Sequence, residues 1–141
     1  MIILDTNIIS ELARPVPEPR VVSWLDSLSA EETAITAITA AELWYGVLRL
    51  PVGRRKNELS DIVHALVNAD FHGRIEPFDV LAATQYAEVV AERDRIGRPI
   101  STPDAQIAAI CRVRAATLAT RNTPDFTGTG IALIDPWEPA C

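Results

Sequence analysis

The sequence predicts an α/β chain, a three-layer α/β/α arrangement around a central, mostly parallel sheet of about five strands. Two observations carry that expectation. Short apolar runs rich in branched residues recur along the chain, as strands buried on both faces require. Between them lie stretches whose apolar residues recur at helical spacing, and such alternation joins parallel strands through crossover helices. With no repeat, low-complexity stretch or linker, the 141 residues read as one domain, 1–141.

Ile2-Ile3-Leu4 reads as the first strand. After Asp5, Thr6 is expected to cap a helix carrying Ile8, Ile9, Leu12 and Ala13 on one face. Pro15 and Pro17 stop it, and Pro19 opens the next helix with Val21, Leu25 and Leu28 inward. Thr33–Thr36 reads as a second strand, and Thr39 as the cap of a helix reaching Leu50 before Pro51. Gly53-Arg54-Arg55-Lys56 leads into a long helix bearing Leu59, Ile62, Val63, Leu66, Val67 and Phe71. Ile75–Phe78 is a candidate third strand. Asp79 caps a helix to Ile96, with Gly97 where a C-terminal glycine belongs. Thr102-Pro103 opens a helix with Ile107, Ile110 and Cys111 inward, and Thr117–Thr120 and Ile131–Ile134 complete the sheet.

Hydrophobic residues make up 48 % and charged residues 23 %, which suits a packed core and argues against disorder. No apolar run approaches the roughly 18 residues of a membrane span, and no basic leader precedes the first apolar run. Cys111 and Cys141 make no disulfide framework, which fits a reducing cytoplasm. The formal charge of −6 argues against coating nucleic acid by bulk charge. It leaves room for an enzyme that uses carboxylates.

In open parallel sheets the reactive edge lies beyond the carboxyl ends of the strands. Asp5 follows the first strand, and Glu42 lies one turn into the helix after the second. Asp104 lies in the first turn of a helix, and Asn122 and Asp125 follow the fourth strand. Clustered oxygen donors without His or Cys suit hard ions such as Mg²⁺ or Mn²⁺. Each residue also has a purely structural reading. Thr39-Ala40-Ala41-Glu42 has the spacing of a capping box, Asp104 complements a helix dipole, and Asn122 and Asp125 favour turns. Other chemistries fit less well. Position 7 is Asn where an aspartyl-phosphate hydrolase wants a second Asp, and the only lysine, Lys56, lies in the basic segment. His64 and His72 have no nucleophile partner.

Four ordered segments resemble the motifs of PIN-domain ribonucleases of the VapC toxin type. They are Ile-Ile-Leu-Asp-Thr-Asn-Ile-Ile-Ser-Glu at the start, Ile38–Leu43 with Gly46, Pro103–Ala109, and Leu118–Thr123 with Phe126 and Pro136-Trp137. The resemblance covers essentially the whole chain and is nearest the branch whose toxin and antitoxin form a DNA-binding pair. It implies a PIN-like fold and a catalytic set of Asp5, Glu42, Asp104 and Asn122, with the three acids around one or two Mg²⁺ or Mn²⁺ ions. Asn122 departs from the Asp often found there. A neutral amide weakens a second ion more than the first, and Asp125 is placed to compensate from the same turn. Thr6 and Thr120 are expected to orient ligands or water through their hydroxyls.

The implied activity is endonucleolytic cleavage of RNA by a metal-activated water, with no lysine or histidine base. The implied partners are a VapB-type antitoxin crossing the catalytic edge, operator DNA reached only through that antitoxin, and a second copy in a homodimer. Arg49, Arg54, Arg55 and Lys56 form a candidate strip for RNA approach, against the simpler reading of a solvated helix start. Trp44, Tyr45, Leu48 and the helix at 57–72 carry apolar surface for a core or a dimer, and Trp24 and Trp137 read as core. The alternative function is a weakly active or inactive PIN domain serving mainly as co-repressor in an antitoxin–operator complex.

Overall fold

In the computed structural model, which describes residues 1–139, five strands form one parallel sheet in the order β3-β2-β1-β4-β5. They are β1 (Ile2–Leu4), β2 (Thr33–Thr36), β3 (Ile75–Glu76), β4 (Thr117–Ala119) and β5 (Leu133–Ile134). The helices are α1 (Thr6–Leu12), α2 (Pro19–Asp26), α3 (Ala37–Leu48), α4 (Arg54–Ala65), α5 (Val80–Arg95), α6 (Thr102–Arg114) and α7 (Thr123–Phe126). A 3₁₀ turn at Ala30–Glu32 precedes β2, and a π-helical segment at Leu66–Asp70 prolongs α4.

The middle positions of the central strands are apolar because both sheet faces are covered. Successive residues alternate between two cores. Ile3, Ala34 and Leu118 pack with Val89 of α5 and Ile107 and Ile110 of α6 on one face. Leu4, Ile35 and Ala119 pack with Ile8, Ile9 and Val21 of α1 and α2 on the other. Ile3 pairs with Ala34 on one side and Leu118 on the other, so β1 is the central strand. Ala105, Ala108 and Ala109 are fully buried, and their small side chains let α6 approach the sheet closely. Trp24 and Trp137 pack against the second core.

Two helix starts differ from expectation, each for the same reason. A strand that turns straight into a helix uses its own last polar residue as the cap. Asp5, not Thr6, caps α1, its carboxylate accepting from the Thr6 amide at 2.8 Å. Thr36, not Thr39, caps α3, and its hydroxyl accepts from the Thr39 amide at 3.1 Å. The long helix breaks into α4 and its π segment, where the Phe71 amide reaches back to the Leu66 carbonyl at 2.9 Å. β3 stops at Glu76 because Pro77 has no amide to give the ladder. Leu28 lies past the end of α2, and β5 is shorter than expected. Cys111 is free and buried, while Cys141 lies outside the described residues. Among the described residues no helix is long and apolar enough to cross a membrane.

Leu118 lies in the middle of β4 at 0 % exposure, so Leu118→Ala leaves a cavity between sheet and helices. The expected cost is about 2–5 kcal/mol, read as a lower urea midpoint with an unchanged denaturant slope.

Candidate active site

Because every strand runs the same way, the residues that follow β1, β2 and β4 emerge on one edge. Asp5 continues the ladder by one residue, its amide donating to the Ala119 carbonyl at 2.9 Å. Its carboxylate is therefore set by the sheet, at 6 % exposure. Besides the Thr6 amide, that carboxylate accepts from the Thr120 hydroxyl at 2.8 Å and from Asn7 Nδ2 at 3.4 Å.

Glu42 is the sixth residue of α3, too far in to serve the start of a helix capped by Thr36. The capping-box reading of Thr39 and Glu42 is thereby overturned. Glu42 Oε1 instead accepts from the Thr6 hydroxyl at 2.8 Å, across to α1. Asp104 is the third residue of α6, whose cap is Ser101, and the Ser101 hydroxyl accepts the Asp104 amide at 3.3 Å. Asn122 donates its amide to Thr120 Oγ1 at 3.1 Å, and its carbonyl accepts from the Asp125 amide at 3.0 Å.

A cleft of about 530 Å³ brings Asp5, Glu42, Asp104 and Asn122 onto common walls, with Thr6 beside them. Asp125 stands off the wall, but its charge reaches the cleft. Burial pushes the Asp5 carboxyl above its ordinary pKa; hydrogen bonds from Thr120 and Thr6 oppose this, and the charges of Glu42 and Asp125 add to it. Burial likewise raises Asp104, opposed by the Ser101 hydrogen bond, reinforced by the charges of Asp5 and Asp125, and eased by Arg93. Among the described residues no ion pair reaches Asp5, Glu42 or Asp104.

The cleft thus offers carboxylate and amide oxygens, no imidazole or thiolate, and three acids that its arginines, Arg14 and Arg121, do not pair with. That donor set fits a hard divalent cation. Among the described residues no three acidic, histidine or cysteine side chains are already drawn into a cage. Asp5 and Glu42 are each held by a hydroxyl partner instead.

The basic segment does not act as a unit. Arg54 pairs with Glu58 at 2.9 Å, and Lys56 Nζ turns back to the Leu48 carbonyl at 3.5 Å. Arg49 and Arg55 line a separate groove of about 790 Å³, which shares Thr6, Arg14 and Glu42 with the acidic cleft. Its floor is apolar, including Ile9, Leu59, Ile62 and Leu66. Tyr45 and Leu48 are exposed, whereas Trp44 packs edge-on against His64.

Sequence reasoning missed three participants. Asn7 Nδ2 donates to Thr120 Oγ1 at 3.2 Å and its Oδ1 accepts the Arg121 amide at 3.2 Å, tying the β1–α1 junction to the segment after β4. Its place two residues past a strand-ending Asp is the signal that could have found it. Arg93, 4 % exposed, donates to the carbonyls of Asp125 at 2.7 Å, Thr127 at 3.1 Å and Arg98 at 2.6 Å. It fastens the turn that carries Asn122 and Asp125 to α5. Arg121, the third, lies on the cleft wall with Trp137.

The sequence pattern of the PIN domain matches residues 2–127, a span that holds all four cleft positions. The chain belongs to the PIN-domain family. It is 43 % identical over 138 residues to toxin FitB of Neisseria gonorrhoeae, covering 98 % of this chain and 99 % of that one. It is 38 % identical over 140 residues to the VapC ribonuclease Y4jK of Sinorhizobium fredii, covering 99 % and 100 %. The solved structure of FitAB bound to an IR36 DNA fragment matches with a TM-score of 0.94 at 41 % identity, covering 100 % of this chain and 99 % of that one. Within the family, this PIN domain therefore groups with the VapC-type toxins.

The raised carboxyls give the PIN domain a testable pH dependence. The folded chain holds these protons more tightly than the unfolded chain, so ionising Asp5 and Asp104 costs stability as pH rises from the ordinary value of 3.8 through the folded-state values. The cost persists at neutral pH. In EDTA, the melting temperature of the Asp5→Asn/Asp104→Asn double variant should rise relative to wild type across that window. At neutral pH, Mg²⁺ or Mn²⁺ should raise the wild-type value and leave the variant's unchanged.

Proposed function

We propose that this PIN domain is the toxin of a toxin–antitoxin pair and a divalent-metal-dependent endoribonuclease. The observation that carries this reading is the cleft where Asp5, Glu42 and Asp104, from three distant parts of the chain, share walls and, among the described residues, form no ion pair. Relatives named as a toxin and a ribonuclease, similar along nearly the full chain, support the activity class.

Asp5, Glu42 and Asp104 would hold Mg²⁺ or Mn²⁺, with Asn122 contributing a neutral amide oxygen and Asp125 a longer-range charge. When bound, such an ion supplies Lewis-acid charge to the phosphodiester and lowers the pKa of its water. The chain's own residues prepare that chemistry. Thr120 and the Thr6 amide hold Asp5 in one orientation, and burial strengthens its pull on a cation. Thr6 occupies Glu42 Oε1, which leaves Oε2 to meet a cation or take a proton from water. Arg93 fastens the Asn122 turn to α5.

The apolar groove beside the cleft suits an apolar segment of a VapB-type antitoxin, whose basic end would reach Glu42 and close the site. With a charge of −6, this chain would contact operator DNA through that partner, and the DNA-bound FitAB structure supports such an assembly. Exposed Tyr45, Leu48 and Val52 would pair two copies, and the reading places the protein with RNA in the cytoplasm. Asn122 on the cleft wall favours a second reading, a weakly active domain serving mainly as co-repressor.

With the antitoxin removed, Asp5→Asn and Asp104→Asn should each slow cleavage of a structured RNA panel by about 100-fold or more, as should EDTA. Wild-type rates from either variant would sink the reading. The basic strip narrows to its two groove-facing arginines, so Arg55→Glu should raise the KM for RNA more than it lowers kcat. An unchanged KM with unchanged salt dependence would remove that side as an approach.

A further inference from the structure

The wall of the acidic cleft carries a pair of residues, Arg121 and Trp137, that none of these roles uses. There the Arg121 guanidinium lies over the Trp137 indole, 5.1 Å from the ring centroid. Neither residue lines the apolar groove. Arg121 is exposed, and among the described residues no carboxylate forms an ion pair with it. Its amide is pinned by Asn7 Oδ1 at 3.2 Å.

Trp137 is held more firmly still. Its amide donates to Asp135 Oδ1 at 2.9 Å, and its carbonyl accepts from Arg20 Nη1 at 3.1 Å. Its ring packs against the second core. A half-buried indole carrying an exposed guanidinium, free of ion pairs among the described residues, is thus fixed at the cleft of a chain of net charge −6. It supplies the two things a single-stranded nucleic acid offers partners for, a planar cation backed by an indole on which a base can stack and a fork for a phosphate.

We infer that Arg121 and Trp137 form a nucleotide subsite, binding one phosphate and an adjacent unpaired base of the RNA strand that flanks the cleavage position. The subsite rests on the nuclease reading and extends it to substrate placement. Arg121 and Trp137 also line an adjoining recess with Arg20, Glu18, Asp135 and Glu138, so the pair joins that recess to the acidic cleft. A strand held there enters the cleft beside Asp5 and Asn122, which share that wall. The subsite therefore favours single-stranded or looped RNA, whose bases are free to stack.

The test measures binding apart from cleavage, by anisotropy of a labelled single-stranded RNA 12-mer with the full chain in EDTA. Arg121→Gln should raise Kd about tenfold and lower the slope of log Kd against log salt by about 0.7. Arg121→Lys should restore that slope and only part of the affinity, because the fork and its stacking are lost. The position is exposed, so melting temperatures should match wild type. Undetectable wild-type binding, or an Arg121→Gln variant with wild-type Kd and slope, overturns the subsite, and so does a variant that loses only antitoxin capture. A protein that binds in this Arg121-dependent way but never cuts RNA with Mg²⁺ overturns the nuclease reading instead.

Discussion

The site is organised by a buried carboxylate at the end of the central strand. Asp5 is carried there by the ladder that β1 makes with β4, and it has almost no contact with water. Burying an ionised carboxylate is costly unless hydrogen bonds and opposite charge compensate. The hydrogen bonds are present, from Thr120, the Thr6 amide and Asn7. The opposite charge is not supplied by any described side chain, and Glu42, Asp104 and Asp125 add more negative charge. This imbalance costs stability, and it is what would suit the cleft to a divalent cation.

The polar residues near Asp5 make more sense as its supports than as separate features. Thr120 joins three segments through one hydroxyl, touching Asp5, Asn7 and the Asn122 amide. Thr6 joins α1 to α3 by holding Glu42. Arg93 secures the Asn122 turn from α5 by bonding only to carbonyls, and its charge eases the ionisation of Asp104. The chain's acidic balance is thereby partly local, concentrated on the edge where a cation and then an anionic strand would meet.

Strands and helix faces were legible because periodicity reports burial directly. Ile2–Leu4 and Thr33–Thr36 hold as read, and Asp79 caps α5 by accepting from the Ala82 amide at 3.0 Å. Helix starts were less legible, because neighbouring polar residues compete for the same amides. Asp5 wins over Thr6, and Thr36 over Thr39, since each already has extended backbone at a strand end. The second choice matters for the site, because moving the cap to Thr36 releases Glu42 to face α1. The acids' convergence on one edge could be read from the parallel order, whereas their hydroxyl partners could not. Arg93 was hidden for another reason: an arginine in a helix reads as solvent-facing, and only the fold reveals the carbonyls that bury it. Arg54 and Arg55 are adjacent in sequence but diverge, one pairing with Glu58 along the helix and the other facing the groove.

The proposed divalent-cation site draws together Asp5, Glu42 and Asp104. The most direct measurement is an anomalous difference map from crystals soaked in Mn²⁺. The account predicts a peak inside the cleft, within about 2.0–2.3 Å of carboxylate oxygens of both Asp5 and Asp104. A cleft without a peak at saturating Mn²⁺, or a peak held by other residues in protein that still cleaves RNA, would contradict it.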